Sequence, residues 1–182
     1  DCNFTIVKRF SIILFTLTVP FLLSAQTHWQ VKTASVTFTI KNLGFTVTGS
    51  FVGLKADIVF DAADYLKSSM QASIDVNTIN TGNNMRDSHL KSKTFFNALK
   101  YPEITIKSTS FSKEPDGTFK GTFKLNMKGV TKEVVIPFSY TEQNNAAVFK
   151  GSFSLNRRDY SVGGKSLTMS DTVNIAIMVN AI

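Results

Sequence analysis

Arg86-Asp87-Ser88-His89 brings four side chains able to hold charge or move protons into one short stretch, and His89 is one of 2 histidines in the chain. Asp, Ser and His are the residue types of a hydrolytic triad, in which a base takes the proton of a hydroxyl nucleophile and a carboxylate orients the base. That geometry needs groups converging from separate elements, and residues adjacent in sequence cannot supply it. The cluster therefore reads as structural: Arg86 and Asp87 as an ion pair or helix-end contacts, His89 as a hydrogen-bonded packing residue. His89 as a general base is the catalytic alternative. A metal site is disfavoured, because His28 is far from His89 in sequence and no paired carboxylates stand at ligand spacing. Val162-Gly163-Gly164 lacks the strand-loop-helix setting of a phosphate loop. Asn156-Arg157-Arg158-Asp159-Tyr160 reads as a polar rim at a strand end, where an arginine suits the anionic head of a ligand. No cofactor is expected.

The elements that must position these residues are patterned with period two, the mark of strands buried on one face. "SVTFTIKN" sets Val36, Phe38 and Ile40 opposite Thr37, Thr39 and Lys41. "SSMQASIDVNTI" does the same with Met70, Ala72, Ile74 and Val76. "TFKGTFKLNMKG" alternates Phe119, Gly121, Phe123, Leu125 and Met127 with Lys120, Thr122, Lys124, Asn126 and Lys128. Later runs carry Ile136 and Phe138, then Phe149, Phe153 and Leu155, then Val173, Ile175 and Ile177. Turn chemistry falls at Pro115-Asp116-Gly117, Lys128-Gly129, Gln143-Asn144-Asn145 and Gly163-Gly164. Short strands in series with local turns predict an antiparallel meander, and about eight strands close naturally into a barrel, which removes exposed edges. One segment departs from this pattern. Ser92 is placed to cap a short helix carrying Phe95, Phe96 and Leu99 that Pro102 stops, and Asn83 or Asn84 an earlier turn carrying Met85, His89 and Leu90.

With 182 residues, 43% of them hydrophobic, the chain suits one domain with a real core. Lys8-Arg9 precedes "FSIILFTLTVPFLLSA", an uncharged run that ends in Ser24-Ala25. This reads as a signal peptide, residues 1–25, since the run is shorter than the roughly 20 residues of a spanning helix and Pro20 interrupts it. The domain then covers 26–182, and the expected location is periplasmic or secreted. Cys2, the sole cysteine, would leave with the leader, so no disulfide or Cys-based metal site is expected. The net charge of +7 comes from lysines spread singly along the strands, without the block that marks a nucleic-acid patch. No nucleic-acid partner is expected, whereas transient attraction to an anionic membrane surface fits the charge. A homodimer is compatible with the sequence.

An eight-stranded barrel either fills with side chains or holds one small ligand. The inward candidates Phe38, Ile40, Ile74, Val76, Phe123, Leu125, Phe153, Leu155 and Ile175 include no ionisable group, so the lining suits a hydrocarbon tail. The chain also resembles the YceI-like family in "SVTFTIKNLG", "TGSF", "INTGNNMRDSHLKSKTFFNALKYPEITIKSTSF", "GTFKLNMKGVTKEVVIPF" and "FSLNRRDYSVG". Asn42 stands where the family usually has His before the Leu-Gly step. The resemblance implies an all-β, antiparallel, lipocalin-like barrel with a short helical insertion, in an exported bacterial protein that binds polyisoprenoids or other long lipids. It implies that the insertion packs at the barrel end, making Phe95, Phe96 and Leu99 wall residues and Arg86, Asp87 and His89 structure or rim. The expected function is to sequester or carry an isoprenoid quinone, polyprenyl lipid or fatty acyl compound. The alternative is a hydrolase-like enzyme acting on a lipid head group through His89.

Overall fold

Period-two patterning becomes strand wherever one face can be buried, and here nearly all of it does. The computed structural model describes residues 27–182, and the expected signal peptide lies outside the described residues. The strands are β1 (His28–Trp29), β2 (Val31–Asn42), β3 (Phe45–Phe51), β4 (Lys55–Val59), β5 (Ser69–Asp75), β6 (Glu103–Lys113), β7 (Phe119–Met127), β8 (Val130–Gln143), β9 (Ala146–Asn156) and β10 (Met169–Ala181). They form one antiparallel sheet in the order β1-β4-β5-β6-β7-β8-β9-β10-β2-β3. The lipocalin-like all-β class stands, and the expected about eight strands number ten, two-residue β1 included.

Three hairpins turn through two residues that both have positive φ: Leu43-Gly44, Lys128-Gly129 and Asn144-Asn145. Such turns match the right-handed twist of the flanking strands, which fixes register and keeps each apolar face inward. Gly163-Gly164 does not join a hairpin; it lies in the loop between Tyr160 and β10.

The sheet curls closed at one end only. The chain at 28–31 is shared, because β1 pairs with β4 while Gln30 exchanges two backbone hydrogen bonds with Ile182, 2.8 and 3.0 Å, beyond the end of β10. Farther along, β3 is interposed, and its outer edge meets only the segment after β5. Ser50 exchanges hydrogen bonds with Asn80 at 2.8 and 2.9 Å, and the Val52 N–H reaches Thr78 Oγ1 at 3.2 Å.

The closed end is plugged by aromatic side chains. Phe60, 0% exposed, meets Phe111, Phe119, Phe138, Tyr140 and Phe149 edge-on, with centroids 4.9–5.9 Å apart. Each such pair adds about 0.5–1.5 kcal/mol beyond its burial. Trp29 packs beside this group and donates its indole N–H to the Phe60 carbonyl at 2.9 Å.

At the other end lies the one α-helix among the described residues, α1 (Asn84–Lys91), with the Asn83 side chain accepting from the Arg86 N–H at 3.0 Å. The Asn83 cap matches the sequence expectation, but Ser92 ends α1 instead of starting a second helix. Residues 92–101 are successive turns. Asn97 has φ 52°, a left-handed step that breaks any helical run through Phe95, Phe96 and Leu99.

Candidate ligand-binding cavity

Above the aromatic plug, the inward faces of the strands no longer meet. The space between them is about 200 Å³. Its walls run from Val36 to Asn42 on β2, ~20 Å at ~3.3 Å per residue, so it is long and narrow. Nine of the twelve residues expected at a ligand wall border it: Phe38, Ile40, Ile74, Phe95, Phe96, Leu125, Phe153, Leu155 and Ile175. Cross-strand register brings several to one level, with Ile175 of β10 opposite both Phe38 of β2 and Phe153 of β9.

The other three lie elsewhere. Phe123 faces inward but belongs to the plug, against Phe111 at 5.9 Å, because it sits two residues deeper than Leu125 on the same face of β7. Val76 is buried but does not border the space: β5 ends at Asp75, and Val76 begins a 3-10 turn whose N–H bonds to Pro102 O at 2.8 Å. Leu99 is 101% exposed, since the left-handed step at Asn97 sends it away from Phe95 and Phe96. The short β6 run "EITI" supplies Ile104 and Ile106, wall residues missing from the expected set although their period-two spacing marked them.

Phe95, Phe96 and Leu90 cover the open end. Lys128, on the β7-β8 turn, fastens this cover by donating to Thr94 O at 3.1 Å and Ser161 O at 2.6 Å, which ties residues 92–101 to the loop after β9. Partial burial lowers the Lys128 pKa, opposed by Tyr101.

Of the residues bordering the cavity, only Arg86 and Arg157 carry charge. Arg157 is not a solvated rim residue. It is 3% exposed and donates to Ser170 O at 2.9 Å, Val162 O at 3.0 Å, Gly164 O at 3.0 Å and Asp171 Oδ1 at 2.7 Å. Its guanidinium is largely consumed in holding the loop after β9 against the start of β10. Arg86 is different. Nε donates to Thr81 Oγ1 and Nη2 to Thr81 O, each at 2.8 Å, leaving Nη1 with no protein partner among the described residues. Asp87 is buried and holds Thr81 by accepting from its N–H at 2.9 Å and its hydroxyl at 2.6 Å. Arg86 and Asp87 therefore meet through Thr81 instead of as a direct pair, and the bridge fixes a cation at the cavity border.

His89 is exposed, lies outside the cavity and stands edge-on to Phe95 with centroids 4.9 Å apart. It packs, as expected, but through its ring rather than a hydrogen bond. His89→Ala should lose only that ring contact, about 0.5–1.5 kcal/mol, and leave uptake of a fluorescent isoprenoid unchanged. Thermal unfolding and a binding titration check both, and loss of an esterase or amidase turnover in the folded variant would favour a catalytic role. Ser92 Oγ, at the end of α1, is buried without a hydrogen-bond partner among the described residues.

This architecture recurs in solved structures. Burkholderia cenocepacia BcnA superposes with a TM-score of 0.79 at 25% identity, covering 82% of this chain and 96% of that one. A polyisoprenoid binding domain from Saccharophagus degradans, implicated in plant cell wall breakdown, gives 0.67 at 14% identity, covering 85% and 96%. In sequence, a UPF0312 protein of Ectopseudomonas mendocina is 29% identical over 160 residues, 84% of each chain. The strands, the cover and the cavity all fall within residues 28–181, which match the model of the YceI-like domain, and the chain belongs to that family.

Proposed function

We propose that this protein is an exported binding protein that sequesters or carries a long apolar ligand of the isoprenoid or long-chain lipid class, with its tail in the cavity and its polar head at Arg86. The observation that carries this reading is a narrow apolar space whose border holds one guanidinium with uncommitted N–H groups. Burial of the tail drives binding at about 0.8 kcal/mol per methylene, while a few polar groups at the end fix orientation. The Saccharophagus degradans neighbour, described as polyisoprenoid binding, supports the ligand class. Export to the periplasm or exterior is supported by the basic start and apolar run ending at Ala25.

Organic extraction of the purified protein followed by mass spectrometry should release a long-chain lipid. Ile175→Trp should fold but lower uptake of a fluorescent isoprenoid by about tenfold or more, because the added ring fills the space the tail needs. Arg86→Gln should weaken anionic-headed lipids by roughly tenfold to a hundredfold and spare neutral hydrocarbons, as expected for a lost charged hydrogen bond. No extracted lipid, with no uptake by the unaltered chain, would overturn the reading.

A further inference from the structure

The mouth of the cavity shows apolar side chains to solvent at a place where folding gains nothing from them. In the β2-β3 turn, Leu43 has φ 52° and Gly44 φ 81°. Two-residue turns of this kind favour Asn, Asp or Gly, because a side chain at positive φ is strained. The comparable turns carry Lys128-Gly129 and Asn144-Asn145. Leu43 is nevertheless 67% exposed, and Phe45 beside it is 77% exposed. Leu167, 99% exposed, is held next to the turn by a hydrogen bond from the Leu43 N–H to Thr168 O at 2.9 Å. Lys41 and Lys165 each precede a leucine of this tip by two residues, both exposed and neither paired with an acid among the described residues. The patch is continuous with the cavity, since Asn42 and Met169 are paired in register and both border it.

Resting on the lipid-carrier reading above, we propose that this tip, Leu43, Phe45 and Leu167 with Lys41 and Lys165, docks onto an anionic lipid bilayer at the mouth of the cavity. The apolar side chains enter the headgroup boundary and the lysines lie against the phosphates, the combination that holds a protein at a membrane surface. A tail then passes between bilayer and cavity without crossing water. A second copy of the chain suits the patch less well, because a two-fold contact uses the same patch twice and would bring the flanking lysines of both copies into one interface.

Phe45→Trp in the full chain reads the contact locally. Trp29, the single natural tryptophan, is buried in the plug and gives a constant background. With vesicles of phosphatidylglycerol and phosphatidylethanolamine, the emission of the new tryptophan should shift to the blue and be quenched by brominated acyl chains. Leu66→Trp, exposed on the 3-10 turn between β4 and β5, should do neither. Adding Lys41→Glu with Lys165→Glu should weaken the titration at least ~tenfold. Adding Leu43→Asn with Leu167→Ser should abolish the shift while isoprenoid uptake from solution stays normal, which separates failure of docking from failure of the cavity reading. The proposal is overturned if the Phe45→Trp variant does not respond to vesicles, if the Leu66→Trp variant responds equally, or if the shift appears with rising protein concentration alone, which would assign the patch to self-association.

Discussion

Aspartate at position 123 should leave the barrel unfolded in water, while aspartate at the next residue should hardly register. Phe123 is buried among Phe111 and the other plug residues, and its ring lies over Gly121, where even a Cβ would stand 2.3 Å from it. Removing such a ring costs about 3–5 kcal/mol, and burying an unpaired carboxylate adds several more. Together these match the roughly 5–15 kcal/mol by which a domain of this kind is stable. Lys124 is exposed on the outer face, with Lys107 of β6 on one side and Glu133 of β8 on the other. Aspartate there relieves one like-charge neighbour and creates another, so stability should move by no more than about 0.5 kcal/mol. Far-UV circular dichroism and urea unfolding of the two variants test this directly. A folded Phe123→Asp with ordinary stability would mean that the plug is assigned to the wrong face of β7.

The second large effect is expected at Arg157. Replacing it with Leu leaves three carbonyls and one oxygen of Asp171 without the donor they now share. Asp171 is 37% exposed and keeps Arg158, so the main cost lies in the orphaned carbonyls, at about 1–3 kcal/mol for a buried one such as that of Val162. Arg158 still reaches Asp171 at 3.3 Å, but it is exposed and cannot replace the bonds to Val162 and Gly164. Because Arg157 and Val162 both border the cavity, isoprenoid uptake should fall with stability. Arg157→Lys should recover only part of the loss, since a single ammonium cannot span acceptors that a planar fork reaches together. Urea unfolding of both variants, with a binding titration at a temperature where each is folded, separates the two effects. Full recovery by lysine would show that charge, and not the fork, is what the loop requires.

The in-or-out choice along each strand was legible because it is local: Phe38 and Thr39 differ by one residue and by one face. Depth along the barrel was not. Phe123 and Leu125 share a face, a strand and a polar-apolar rhythm, yet one is plug and the other cavity wall, and the difference depends on how far the rings of Phe60, just past β4, and of Phe111 and Phe138 reach. The helical segment divided in the same way. Asn83 reads as a cap and is one, but Ser92 has the same signature and stands at the opposite end of the helix, because a serine hydroxyl serves turns as readily as helix starts. Arg157 was visible as an arginine at a strand end. That its guanidinium folds a loop follows from backbone carbonyls that only the closed loop brings together.

The interposed β3 gives the barrel unequal hoops. At the plugged end, hydrogen bonds run through residues 28–31 from β4 to the far side of the sheet, so the circumference is fixed by strand number and stagger. Around the cavity, the seam beyond β3 is joined among the described residues by the backbone bonds of Ser50 with Asn80 and the Val52 N–H bond to Thr78 Oγ1, and otherwise by the packing of Phe51, Ile74 and Ile79. Packing yields by fractions of an ångström where a ladder of hydrogen bonds moves only by whole steps of register. The girth of the upper barrel therefore rests on side-chain packing as well as on the sheet, while that of the base rests on the sheet alone.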